Sequence, residues 1–218
     1  MPRTIAIGDI HGCAAALAAV LEAIAPQPED TLITLGDYID RGPDSRAVVD
    51  QLLALQERCN LVPLLGNHEI VLLSLRENVA GLEFWLEGCG GAATVASYGG
   101  RLDQVPPDHW HFYERLRPFH ETDTHLFLHA NYLPDLLLGE QPDEILFWTH
   151  LLQVPAAHVS GKTAIIGHTP QTSGEILDAG HLVCIDTWCF GSGCLTAYDV
   201  DTRDVWQAER GGVLLRRP

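Results

Sequence analysis

Apolar and polar positions follow two rhythms in the first third of the chain. Thr4-Ile5-Ala6-Ile7 is a short apolar run closed by Gly8-Asp9, which predicts a buried strand. Ala14 to Ala25 is rich in Ala and Leu and stops before Pro26, which predicts a helix. The rhythm then repeats. Thr31 to Leu35 predicts a strand closing on Gly36-Asp37, and Ser45 to Gln56 a helix with Ser45 as its cap and Val48, Val49, Leu52, Leu53 and Leu55 as its apolar stripe. Leu61 to Leu65 predicts a strand closing on Gly66-Asn67, and His68 to Arg76 a helix. Strand, loop and helix in threefold succession predict an α/β layered fold with right-handed crossovers.

The middle breaks this rhythm. Residues 77–120 carry Trp85, Trp110, Phe112, Tyr113 and Phe119 and a Gly-rich stretch from Gly88 to Gly100. They predict a mainly helical insertion, serving as a cap or a packing extension. Strand character returns at Thr124 to Leu128, ending at His129, and at Thr163 to Ile166, ending at Gly167-His168. Leu182 to Ile185, Leu195 to Val200 and Val205 to Ala208 predict short antiparallel strands. With no internal repeat and no linker, residues 1–218 read as a single domain.

Composition narrows the function. Hydrophobic residues make up 46% of the 218 and charged residues 19%, which excludes a disordered or fibrous chain. With 13 Lys+Arg against 29 Asp+Glu the net charge is −16, so the long-range field opposes general binding of nucleic acid or an anionic membrane. An anionic substrate stays open, because bound cations reverse a local field. No basic stretch followed by an apolar one precedes the first strand, and no apolar run approaches the roughly 18 residues of a membrane span, so a cytoplasmic location is expected. The six cysteines include no CxxC pair. The regular Cys184, Cys189, Cys194 spacing lacks the zinc pattern, and reduced thiols are expected.

The chemistry gathers where the strands end. Asp9 and His11 follow the first strand, Asp37 and Asp40 the second, Asn67 and His68 the third, and His129 and His168 two later ones. Ligand sites of α/β sheets lie beyond the carboxyl ends of strands, so these residues should converge. Asp9, His11, Asp37, Asn67, His129 and His168 offer three oxygen donors and three imidazoles, which suits Mn, Fe or Zn better than Ca or Mg. Six donors exceed what one catalytic ion needs. Two ions bridged by Asp37, roughly 3.5–4 Å apart, would clamp the oxygens of a phosphoryl transfer.

The motifs Gly8-Asp9-Ile10-His11-Gly12, Gly36-Asp37-Tyr38-Ile39-Asp40-Arg41-Gly42, Gly66-Asn67-His68-Glu69, His129-Ala130 and Gly167-His168-Thr169 resemble those of the calcineurin-like metallophosphoesterases. More narrowly, the chain resembles the serine/threonine phosphoprotein phosphatases of the small bacterial and phage form, and Ile185-Asp186-Thr187 looks like that family's C-terminal strands. The resemblance implies two face-to-face mixed β-sheets flanked by helices. It implies that Asp9, His11 and Asp37 hold one divalent ion and Asp37, Asn67, His129 and His168 a second, manganese foremost, with iron or zinc as the other candidates. Water held between the ions would attack phosphorus. His68 would protonate the leaving oxygen, oriented by Asp40, and Arg41 and Asn67 would contact the phosphate. These roles fit the chemistry of each group.

Two positions depart from the family pattern. Asn131 stands where Gly is usual, and His150, in Phe147-Trp148-Thr149-His150, stands where a second phosphate-binding arginine is expected. Arg76, Arg101 or Arg115 could take that role instead. His109, His111, His120, His125, His158 and His181 match no motif and are expected at the surface or in packing. The leading expectation is hydrolysis of phosphate monoesters on Ser or Thr of a phosphoprotein or phosphopeptide. The alternatives are a symmetrical diadenosine tetraphosphatase or other nucleotide phosphohydrolase, and an inactive metal-binding interaction module.

Overall fold

The apolar runs that close on Gly-polar pairs become parallel strands. In the computed structural model, which describes residues 2–215, β1 (Thr4–Ile7), β2 (Thr31–Thr34) and β3 (Asn60–Pro63) pair in parallel, with Thr4 opposite Thr31 and Thr31 opposite Asn60. The helices α1 (Ala14–Ile24), α2 (Ser45–Gln56) and α3 (Asn67–Glu77) follow them in turn. Helix α1 ends at Ala25, in a left-handed conformation whose N–H returns to Leu21 O, directly before Pro26. The cap of α2 is Asp44 rather than Ser45. Asp44 Oδ1 accepts from Ala47 N at 2.9 Å, while the Ser45 hydroxyl is buried against Asp40 N and Thr94 Oγ1.

Between α3 and the next strand run three short helices, α4 (Leu82–Gly88), α5 (Gly91–Ser97) and α6 (Pro107–Glu114). The helical expectation fails only at its end, where Phe119–Glu121 is strand β4. Then come β5 (His125–Leu128), α7 (Asp143–Trp148), β6 (Thr163–Ile166), β7 (Leu177–Asp178) and β8 (Leu182–Cys184). The last strands are β9 (Cys194–Asp199), β10 (Val205–Glu209) and β11 (Leu214–Leu215).

Among the described residues eleven strands form two mixed sheets. One has the order β11-β10-β9-β1-β2-β3, with β9 antiparallel to β1, and the other β4-β5-β6-β8-β7, with β5, β6 and β8 parallel. Side chains on a strand alternate between faces, yet here both faces are buried, which is why the strands read as unbroken apolar runs. Ala6, Ile33, Val62, Phe127, Ile165 and Val183 fill the space between the sheets. Ile5, Ile7 and Leu32 face α1 and α2, and Leu126, Leu128, Ala164 and Ile166 face α7 and its flanking loops. Because β1, β2, β3 and β6 run into Gly-polar pairs and β5 into His129, the sandwich carries the expected donors to one edge. Among the described residues no helix is long and apolar enough to cross a membrane.

Candidate metal centre

Asp37 is the hub. Its Oδ2 lies 3.4 Å from His11 Nε2, and its Oδ1 lies 3.5 Å from His129 Nε2. One carboxylate therefore presents one oxygen to each of two clusters of mutually close donors, His11–Asp37–His68 and Asp37–His129–His168. Asn67 joins the second, its Oδ1 lying 2.9 Å from His129 Nε2 and 3.1 Å from His168 Nδ1. Asp9 stands outside both clusters. Both of its oxygens accept the backbone N–H of His168, at 3.1 and 3.0 Å.

The donor set fits divalent ions. Each of the three imidazoles has one nitrogen tied to a backbone carbonyl and the other turned inward. His11 Nδ1 donates to Ile39 O (2.8 Å), His129 Nδ1 to Leu35 O (2.8 Å) and His168 Nε2 to Trp148 O (3.2 Å). These bonds fix the tautomer that leaves a lone pair aimed at Asp37 or Asn67, the arrangement of metal-ligating histidines. Burial holds His11 and His168 down to about 3 and also lowers His129, so the neutral ligand form prevails. Burial alone would raise Asp37, but the imidazoles of His129, His68, His11 and His168 outweigh it and hold the carboxyl below the ordinary range. Burial, with the charges of Asp186 and Asp37, drives Asp9 well upward. Three buried carboxylates this close are relieved by a cation.

His68 differs from these three. Burial opposes its imidazolium, but the charges of Asp37 and Asp40 and the Asp40 hydrogen bond prevail, so it titrates above an ordinary histidine. Its Nδ1 is 2.6 Å from Asp40 Oδ2, and its Nε2 is 3.9 Å from Asp37 Oδ2. Neutral imidazoles to bind and a charged one to donate is the division that acid-base chemistry at a metal centre requires.

The loops bend sharply to achieve this. His11, Asp37, Asp40, Arg41 and His168 all adopt left-handed backbone conformations, with φ of 45°, 51°, 70°, 65° and 62°. Such residues cost on the order of 1 kcal/mol each, and strain of this kind collects at functional sites. The surroundings hold the bends. The Glu69 carboxylate accepts the backbone N–H groups of Asp37 (2.9 Å), Tyr38 (2.8 Å), Ile39 (3.3 Å) and Gly66 (3.3 Å). Burial, then the charge of Asp37, pushes Glu69 up to about 8. Gly66 packs against the same loop, where a Cβ would stand 2.2 Å from Asp37 Oδ1.

Arg41 and His150 sit at the mouth. The exposed guanidinium of Arg41 lies 4.5 Å above the Phe190 ring, with Nη1 3.2 Å from His11 Nε2. His150 is exposed and stacks on His168, with centroids 4.5 Å apart. The substitute arginines are placed elsewhere. Arg76 pairs with Glu114 and lies over Trp110, Arg101 pairs with Asp103, and Arg115 lines a separate cleft with Pro107 and Arg117. Asn131 needs no left-handed turn; its Oδ1 accepts Tyr132 N instead. The unmatched histidines are spent in packing or on local partners: His109 bonds Tyr98 and Asp50, His158 bonds Leu136 O, and His181 bonds Pro155 O. No cysteine joins either donor cluster.

Sequence reasoning gave no role to Asp186, Glu69, Trp85 or Thr94. Asp186 is buried just beyond β8, its Oδ1 accepting Trp188 N at 3.0 Å, and burial lifts it to about 7. The strand-end rule that found Asp9 and His168 applies to it equally. Trp85 and Thr94 reach Asp40 from α4 and α5, which no local pattern signals.

A family model described as calcineurin-like phosphoesterase matches residues 2–191. The chain belongs to that family of metallophosphoesterases. It is 34% identical over 131 residues to a symmetrical bis(5'-nucleosyl)-tetraphosphatase of Burkholderia pseudomallei (strain 668). That match takes in 60% of this chain and 42% of the relative, so it spans less than half of the relative's length. Among solved structures, a candidate diadenosine tetraphosphatase superposes with a TM-score of 0.71 at 24% identity over 95% of each chain. A cold-active protein-tyrosine phosphatase of a psychrophilic Shewanella gives a TM-score of 0.63 at 14% identity, over 99% of this chain and 80% of that one. Likeness at these identities is a likeness of fold.

Proposed function

We propose that this phosphoesterase hydrolyses the central phosphoanhydride of a dinucleoside tetraphosphate, cutting it symmetrically into two nucleoside diphosphates. The 34% identity to symmetrical bis(5'-nucleosyl)-tetraphosphatases carries this reading. It displaces the Ser/Thr phosphoprotein activity expected from the motifs, which both kinds of enzyme share. Asp9, His11, Asp37, Asn67, His129 and His168 would hold two divalent ions. Ions held there lower the pKa of water and neutralise phosphate charge.

The chain's own residues supply the rest. Arg41, at the exposed mouth, offers a fork of donors to phosphate oxygens. His68 presents Nε2–H on the Asp37 side of the centre, with Nδ1–H held by Asp40. As a water oxygen bonds to phosphorus and its proton passes to solvent, the bridging P–O bond breaks; that bond's electron pair stays on the leaving oxygen, which takes the Nε2 proton and leaves His68 neutral. His150, stacked on His168, reaches the same rim with a single donor where a guanidinium would offer two.

The test is a parallel assay of protein loaded with Mn, Fe or Zn on diadenosine tetraphosphate, a phosphoserine peptide and a phosphotyrosine peptide. The expected result is fastest turnover of the tetraphosphate, with ADP as the sole nucleotide product. Faster turnover of the phosphoserine peptide would restore the protein phosphatase reading. Metal binding without turnover of any substrate would mark an interaction module.

A further inference from the structure

The segment between α3 and β4 does more than pack. Three of its groups close on the two residues of the tightest bend in the centre, Asp40 and Arg41. Trp85 Nε1 donates to Asp40 Oδ2 at 2.8 Å, and Thr94 Oγ1 donates to Asp40 Oδ1 at 2.6 Å. Asp40 N donates back to Thr94 Oγ1 at 2.9 Å, and Arg41 N donates to Gly90 O at 3.1 Å. Asp40, Trp85 and Thr94 are each 0% exposed. Gly90 crosses Arg41 so closely that a Cβ there would meet Arg41 N at 2.8 Å.

The bonding pattern fixes where the protons are. An indole N–H can only donate, so Asp40 Oδ2 must accept from Trp85. The same oxygen lies 2.6 Å from His68 Nδ1, and an ionised Asp40, which can only accept, takes that nitrogen as a second donor. The threonine hydroxyl has one proton. It goes to Asp40 Oδ1, while the hydroxyl oxygen accepts from Asp40 N and meets Ser45 Oγ at 3.0 Å. Both oxygens of Asp40 already accept from these donors, and the carboxylate holds the His68 ring by Nδ1–H with Nε2 turned toward Asp37.

The geometry points to Trp85 and Thr94 as positioning residues for the His68–Asp40 pair, so that the α4–α5 segment acts as a clamp on the proton donor of the reaction. The inference rests on His68 serving as that donor. It assigns the segment a chemical task, distinct from covering the site as a lid.

The test compares Thr94→Val, Thr94→Ser and Trp85→Phe with His68→Asn, all loaded with metal, on phenyl phosphate and p-nitrophenyl phosphate. The first substrate has a leaving oxygen that needs a proton far more than the second does. Thr94→Val and Trp85→Phe should each lower kcat on phenyl phosphate by about 10-fold while changing the p-nitrophenyl rate little, in line with other losses of a residue's orienting partner. Thr94→Ser should restore the rate. The downfield His68 Nδ1–H proton resonance should weaken in Thr94→Val and Trp85→Phe and persist in Thr94→Ser. It reports on the clamp even if monoesters are poor substrates or one variant is unstable. Equal losses on both substrates, or an unchanged resonance and unchanged rates, would overturn the clamp. Should His68→Asn itself lose equally on both substrates, it is the proton-donor reading that fails.

Discussion

Adding one methyl group at Gly167 should dislodge Asp9 without replacing any donor residue. Gly167 does not use the left-handed region, so alanine suits its backbone. Its space does not suit alanine. A Cβ there would stand 2.1 Å from Asp9 Oδ1 and 3.2 Å from Asp9 Cγ, where ordinary contact begins at 3.4 Å. Relief requires about 1 Å of movement by the carboxylate, because an overlap that deep lies on the steep wall of the van der Waals potential. Overpacking of this kind costs about 1–3 kcal/mol of stability. A donor moved by about 1 Å should cut kcat by roughly 10²-fold. The affinity for the ion that Asp9 serves should fall by about 10- to 100-fold. The assay is metal content after dialysis against graded free Mn, with kcat measured in parallel. Gly139→Ala, where nothing lies within 4 Å, is the control and should match the unmodified protein. If Gly167→Ala holds two ions with unchanged affinity and works at full rate, Asp9 is no ligand and the packing argument is refuted.

Other perturbations test separate parts of the centre. Asp37→Asn should lose both ions together, because one oxygen faces each donor cluster; retention of one ion at full affinity would show that Asp37 does not bridge. His150→Arg should lower KM for simple monoesters by about 10-fold, one charge-assisted hydrogen bond being worth about 1.5 kcal/mol or more. Metal content should not change, and an unaltered KM would place the phosphate away from His150. Far from the site, burial pushes Asp30 up, but the hydrogen bond from the Arg3 side chain and the backbone N–H groups of Gln27 and Arg3 outweigh it and bring the carboxyl down to about 2. A carboxyl lowered on folding stabilises above its unfolded value, near 3.9, and that stability disappears as pH falls through about 2. The gap in Tm between the protein and Asp30→Asn should therefore be full above pH 4 and close toward pH 2; a gap that ignores pH would contradict the pairing.

The layered fold and the phosphoesterase family were legible in the order of residues alone. Runs such as Thr4 to Ile7 and Thr163 to Ile166 carry apolar residues on both faces, as a strand buried on two sides requires, and each is followed two residues on by a side chain able to bind a metal, Asp9 and His168. Local pattern and ligand type brought forward Asp9, His11, Asp37, Asn67, His129 and His168 as candidates, since the carboxyl ends of parallel strands share one edge, and the structure gathers His11, Asp37, Asn67, His129 and His168 there. The same pattern misplaced the cap of α2. Ser45 and Asp44 are both good capping residues, and the choice fell to Asp44 once the Ser45 hydroxyl was drawn into the buried cluster at Asp40 and Thr94. Which imidazoles favour the neutral form follows from tertiary contacts: burial lowers His11, His129 and His168, while Asp37 and Asp40 raise His68 against its own burial. Only the tertiary structure set Asp9 apart from the two donor clusters. Trp85 and Thr94 lie 45 and 54 positions from Asp40, on helices whose local sequence says nothing of a carboxylate. They meet it because α4 and α5 fold back over the bend at Asp40 and Arg41, a contact fixed by packing across the molecule and invisible to any periodicity along the chain.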